Sequence, residues 1–136
     1  MTGKCLCGNI EFEFDPMKRV AMNCHCSRCR VSHGAAFATQ LFSSKSSLVF
    51  KKGREHIKEF ESTGGIRAFC SNCGSRLMNY AKSGNGYLSV ALSCVQEPHN
   101  IKPIANAFVG SKAPWYTPAE NIPQFEAMPA GVADYL

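Results

Sequence analysis

Cys5-Leu6-Cys7-Gly8-Asn9-Ile10-Glu11-Phe12-Glu13-Phe14 joins the two patterns that decide the fold: a pair of thiols closed by a glycine, then strict alternation of apolar and polar side chains. The alternation places Ile10, Phe12 and Phe14 on one face and Asn9, Glu11 and Glu13 on the other, as in a half-buried strand. Further short strands are expected at Leu48 and Phe50, Ile57 and Phe60, Ile66 to Phe69, Leu77 to Tyr80 and Tyr87 to Leu92. Turns at Ser43-Ser44, Ser62-Thr63-Gly64-Gly65 and Ser83-Gly84-Asn85-Gly86 separate them. The reading is a mainly β protein with short helical turns, a meander or an incomplete barrel. One stretch reads as helix, from Ser27 to His33, with Ser27 as its cap and Gly34 as its stop. The tail from Lys102 to Leu136 carries five prolines and is expected to be extended or turned, pinned by Trp115, Phe125 and Tyr135. No repeat or linker divides the chain, so 1–136 is read as a single domain, long enough to bury a core without disulfides.

Eight cysteines in 136 residues would signal a disulfide framework in a secreted protein. The first residues reach Cys5 with no apolar stretch of signal length, and no run approaches a membrane span. A cytoplasmic protein is therefore expected, and thiols at two- and three-residue steps in a reducing compartment read as metal ligands. The formal charge of +5 invites a nucleic-acid reading, but seven metal-bound thiolates around two divalent ions would bring it to roughly +2. The positive residues are also scattered, which argues against a nucleic-acid partner.

The cysteines fall into two kinds of cluster. Cys5-Leu6-Cys7-Gly8 and Cys70-Ser71-Asn72-Cys73-Gly74 each end in a glycine, the residue that tolerates the positive φ of a tight metal-binding turn. Their four thiolates would make a closed tetrahedral zinc site tying the start of the chain to its middle. Cys24-His25-Cys26-Ser27-Arg28-Cys29 has no such glycine and runs into the helix. Three ligands from one short segment leave a fourth position, either open for chemistry or closed by Cys94, His25, His33 or His99. An open zinc there could hold a small thiol as thiolate or polarise a carbonyl oxygen. Arg28, Arg30 and Lys112 are candidates for attracting a carboxylated thiol, with solvated surface charge as the plainer role. The competing function is a non-catalytic zinc module that binds a protein or nucleic acid through its strand surface.

The order Gly3-Lys4-Cys5-Leu6-Cys7-Gly8, Cys24-His25-Cys26-Ser27-Arg28-Cys29-Arg30, Gly34-Ala35-Ala36-Phe37, Phe69-Cys70-Ser71-Asn72-Cys73-Gly74-Ser75 and Lys112-Ala113-Pro114-Trp115 resembles the glutathione-dependent formaldehyde-activating enzyme family, which also includes centromere protein V. The resemblance implies an Mss4-like, zinc-containing β fold. It implies two zinc ions, a structural one on Cys5, Cys7, Cys70 and Cys73 and a catalytic one on Cys24, Cys26 and Cys29. The implied activity is that of a carbon–sulfur lyase: glutathione or another small thiol adds to formaldehyde, giving the S-hydroxymethyl product. Where the family tends to have a histidine ahead of its Lys-Ala-Pro-Trp segment, Asn106 stands in this chain.

Overall fold

The computed structural model describes residues 1–16 and 18–131. Its strands are β1 (Thr2–Lys4), β2 (Glu11–Glu13), β3 (Ala21–Cys24), β4 (Ala38–Ser44), β5 (Val49–Lys52), β6 (Ile57–Ser62), β7 (Gly65–Cys70), β8 (Arg76–Tyr80), β9 (Tyr87–Ala91) and β10 (Pro103–Ala107). The one α-helix among the described residues, α1, spans Ser27–His33. The strands form a three-stranded sheet, β1-β2-β5, and a seven-stranded sheet, β10-β3-β4-β9-β8-β7-β6. The fold is thus mainly β, and the expected meander is the run β6 to β9, each strand antiparallel to the next. Beyond it the chain departs from a simple meander, because β10 returns parallel to β3 at the sheet's far edge.

Alternation explains the layering. Ile10 and Phe12 are fully buried and pack with Leu41, Leu77, Leu88 and Val90, so the small sheet's apolar face closes over the large sheet. Burying a side chain of that size contributes about 1.5–3 kcal/mol. The close packing leaves no room at Gly3, where a Cβ would lie 2.2 Å from the Phe12 ring. On β7, Ala68 and Cys70 turn toward this core, whereas Arg67 and Phe69 take the other face. In register across that other face run Phe42, Ser89, Asn79, Arg67 and Phe60, on β4, β9, β8, β7 and β6. This mixed polar row is the floor on which the three-cysteine segment sits.

Three expectations need correction. Cys26, not Ser27, caps α1: its sulfur accepts from the Cys29 backbone N–H, so the cap is one of the thiols. The tail is held by backbone hydrogen bonds from Asn106 to Pro123, Phe125 to Asn106 and Val109 to Phe125, rather than by Trp115, which is 71% exposed. Tyr135 lies outside the described residues. Strands β3 and β4 escaped the alternation reading because β4 is buried on both faces, so Ala38-Thr39-Gln40-Leu41-Phe42 shows no period of two.

Candidate metal centres and the adjoining cavity

The first and third cysteine pairs meet. The sulfurs of Cys5, Cys7, Cys70 and Cys73 all lie within 4.8 Å of one another, with Cys5–Cys7 at 3.5 Å and Cys7–Cys70 at 3.8 Å. Four sulfurs around one zinc at the usual bond length stand about 3.8 Å apart, so this donor set fits the ion. Both glycines that follow the pairs take the left-handed backbone that the turns require, Gly8 at φ 80° and Gly74 at φ 74°. The Ile10 N–H donates to the Cys5 sulfur at 3.3 Å, and the Ser75 hydroxyl lies 3.1 Å from Cys73. That hydroxyl holds the Cys73 thiol down to about 5, whereas burial pushes Cys70 up to about 11.

The middle cluster also forms. Cys24 ends β3, Cys26 caps α1, Cys29 sits in its first turn, and the three sulfurs lie within 4.8 Å of one another. A cluster of soft thiols suits zinc equally well. The neighbouring thiols of Cys24 and then Cys29 hold the Cys26 thiol well below its ordinary value, while Cys26 first and then Cys29 push the Cys24 thiol far up. A cation stands beside them: the two terminal nitrogens of Arg67 lie 3.9 and 4.0 Å from the Cys29 sulfur.

None of the residues considered as a fourth ligand joins this group. Cys94 is buried in the main core, donates to the Ala91 carbonyl at 3.1 Å, and is pushed up to about 12 by burial, as expected of an inert packed thiol. His25 is fully buried with its Nε2 3.2 Å from Asn106 Oδ1 and its ring beside Phe37 and Tyr116. The His33 Nε2 lies 3.2 Å from the Gln40 amide nitrogen. His99 belongs to neither cluster. In place of a fourth ligand there is space: a cavity of about 320 Å³ lined by Cys24, Cys29, Arg67, Gln40, Phe42, Asn79 and Tyr87 among others.

A buried network fixes the segment from behind. Asn106 Oδ1 accepts from Asn23 and lies against His25 Nε2, and Asn106 Nδ2 donates to the Ala119 carbonyl. The His25 N–H donates to Ala107, and Arg30 Nε donates to the carbonyls of His25 and Ser111. Arg30 is therefore a brace between α1 and the tail, and Lys112 lines neither the cavity nor the groove beside α1, which leaves Arg28 of the three proposed cations. The sequence reading missed Arg67 and Arg76. In the run Ile66-Arg67-Ala68-Phe69, Arg67 looks like any outward-facing strand residue, and only the crossing of α1 over β7 gives it a partner.

Residues 1–111 match the sequence profile of the family described as glutathione-dependent formaldehyde-activating enzyme. Among solved structures, the chain is similar to a crystal structure of a Rhodobacter sphaeroides protein, at 25% identity and a TM-score of 0.61, covering 74% of this chain and 92% of that one. Among the described residues, no helix is long and apolar enough to cross a membrane.

Proposed function

The chain belongs to the glutathione-dependent formaldehyde-activating enzyme family, and from that premise and its two cysteine clusters we propose that it is a zinc-dependent enzyme of the carbon–sulfur lyase type. It joins a small thiol, such as glutathione, to formaldehyde or a related small aldehyde. Cys5, Cys7, Cys70 and Cys73 hold a structural zinc, and Cys24, Cys26 and Cys29 hold the catalytic one. The observation that carries this reading is the cavity of about 320 Å³ walled by two of the three sulfurs, where a closed structural site would have a fourth ligand. A reducing cytoplasm, which keeps both clusters as thiols, is the compartment that this chemistry requires.

In the reaction the thiol sulfur forms a bond to the aldehyde carbon, the carbonyl π pair moves to oxygen, and the proton lost from sulfur is balanced by one gained at that oxygen. When bound, zinc supplies Lewis acidity, which favours a thiolate over a thiol and polarises a carbonyl. The protein's own share is placement. Arg67 sets a positive charge beside Cys29 at the cavity wall, where a developing anion on sulfur or oxygen is stabilised. Phe42 and Met128 line the cavity with apolar surface that limits water. Asn79, Ser89 and Tyr87 offer polar groups along the same wall to orient two small reactants, which removes entropy from their encounter.

Because thiols and formaldehyde also combine unaided, the test is a rate. Exchange NMR with ¹³C-formaldehyde and glutathione measures the interconversion of free and sulfur-bound carbon. The expected result is faster exchange with the zinc protein and none of that acceleration with Cys26→Ser. Equal exchange with and without wild-type protein, using glutathione, cysteine and an alkyl thiol in turn, sinks the reading.

A further inference from the structure

A second concavity, an open groove of about 720 Å³, lies beside the metal cavity and shares Arg67 and Ser62 with it. Its walls are α1, through Arg28 and Val31, strand β6, through Phe60, and strands β7 and β8, through Arg67, Phe69 and Arg76. Three guanidinium groups thus border one groove, and among the described residues no carboxylate lines it. The acidic residues of β6 point elsewhere: Glu59 accepts from the Tyr80 hydroxyl and Glu61 pairs with Lys82 at 2.6 Å. The ion pairs among the described residues join Lys4 to Glu11, Lys51 to Glu13, His56 to Glu55 and Lys82 to Glu61, so none engages these arginines.

Arg67 has the Cys29 sulfur for company, but among the described residues no carboxylate pairs with Arg28 or Arg76. Arg76 is half-buried over the Phe69 ring, its centre 5.5 Å from the ring's, with one terminal nitrogen 3.4 Å from Asn79 Oδ1. Its Nε is buried and lacks a hydrogen-bond partner among the described residues. A buried donor left unpaired on a cation is costly, and a second cation beside it adds repulsion. An anion entering the groove offsets that repulsion, and a guanidinium fork matches a carboxylate in shape as well as charge.

We propose that this groove is a carboxylate-binding subsite, and that Arg28 and Arg76 select, for the neighbouring three-cysteine centre, thiols that carry carboxylates over neutral or cationic ones. The inference rests on the proposed reaction for its placement, since the thiol sulfur must reach the cavity while its carboxylate lies across Arg67 in the groove. Phe60 and Val31, exposed at the rim, offer apolar surface for the carbon chain between them. Ser62, like Arg67, borders both the cavity and the groove.

The test uses the cobalt-substituted protein, whose absorption reports thiol coordination, titrated at low ionic strength with mercaptosuccinate, 2-mercaptoethanol and cysteamine. The expected result is binding of mercaptosuccinate tighter than that of 2-mercaptoethanol by on the order of tenfold or more, the scale of one charge-assisted hydrogen bond. The ratio should fall toward one in the Arg28→Gln/Arg76→Gln double variant and partly recover in Arg28→Lys/Arg76→Lys. A wild-type protein that binds all three thiols alike overturns the subsite and leaves the proposed reaction standing. If no thiol perturbs the cobalt spectrum, the proposed reaction fails, and the groove is then judged alone by calorimetric titration of the zinc protein with succinate. Heat that disappears in the Gln double variant supports the subsite; no heat, or equal heat in both proteins, overturns it.

Discussion

Cys7 and Cys70 stand 63 residues apart in the chain and 3.8 Å apart in the fold, whereas Cys24, Cys26 and Cys29 come from one six-residue segment. Ligand chemistry is the same in both clusters, and the topology of the chain is not. An ion on the first cluster closes a long loop, and closure restricts the unfolded chain in a way that a local cluster does not. The first cluster is also embedded in packing: Cys5 and Cys70 belong to the main core, beside Ile10, Leu77 and Cys94. The second borders a cavity and a charged side chain. On the proposed reading, an ion on the first cluster holds the fold together and one on the second keeps a coordination position free.

The sharpest way to break this contrast is to remove one ligand from each cluster. Cys70→Ser should cost several kcal/mol, a large part of the 5–15 kcal/mol typical of a domain, and yield insoluble or unfolded protein. Cys26→Ser should melt within a few degrees of wild type while retaining one zinc instead of two by elemental analysis. Equal unfolding of both variants in thermal melts, or one zinc in the wild type even after reconstitution, would remove the distinction. A milder probe is Arg67→Gln. The expected outcome is an unchanged zinc content and a loss of about 1.5–3 kcal/mol in transition-state stabilisation, roughly tenfold or more in kcat/KM, as for a hydrogen bond to a charged group. If the variant keeps full rate in the exchange assay, Arg67 has no part in the chemistry.

The legible part of the molecule was whatever repeats or pairs locally. Cysteine steps carry both clusters, and trailing glycines mark the four-cysteine one, since a positive φ at Gly8 and Gly74 is a requirement that residue type reveals. The helix over Ser27–His33 and its stop at Gly34 were visible for the same reason. What stayed hidden depends on tertiary neighbours. Gln40 and Phe42 show no alternation because β4 is buried on both sides, and Arg76 lies next to Arg67 only because β7 and β8 pair with a register shift near Phe69. Asn106 stands out in the sequence only as the residue in place of a family histidine, and its joining of β3, His25 and the tail in one buried network is a tertiary fact.

A pH experiment sharpens the comparison on the side of the three-cysteine helix. Burial first, then the charges of Arg76 and Arg67, lower His33 from 6.5 to about 4. Protonation therefore favours the unfolded chain, which binds the extra proton first, and the stability due to neutral His33 is lost as pH falls from about 6.5 toward about 4. The gap corresponds to on the order of 2 kcal/mol once solvent screening of the half-buried ring is discounted. His33→Gln should flatten the denaturation midpoint over this window relative to wild type, and the slope that remains belongs to the other groups titrating there, Glu61 and Glu97 among them. Identical slopes in the two proteins would show that His33 titrates freely.

The smallest expected effect concerns the glycine that marks the closed cluster and is missing from the open one. Gly74 has φ 74°, and a Cβ built there meets nothing within 4 Å, so Gly74→Ala adds backbone strain without a clash. An L-residue in the left-handed region costs about 1–2 kcal/mol, and that is the expected loss in equilibrium denaturation of the zinc protein. Gly34→Ala serves as the internal control, because Gly34 also has open space and φ 60° but ends α1 rather than a metal turn. Both substitutions should lower stability by similar amounts in the holo protein. Only Gly74→Ala should also weaken retention of the structural zinc against a chelator, since the Gly74 N–H bonds the Cys70 carbonyl across the turn that aims two sulfurs at one point. If chelation removes that zinc from both variants at the same rate, the glycine serves the backbone alone, and the pairing of the two glycine-ended turns carries no information about the metal.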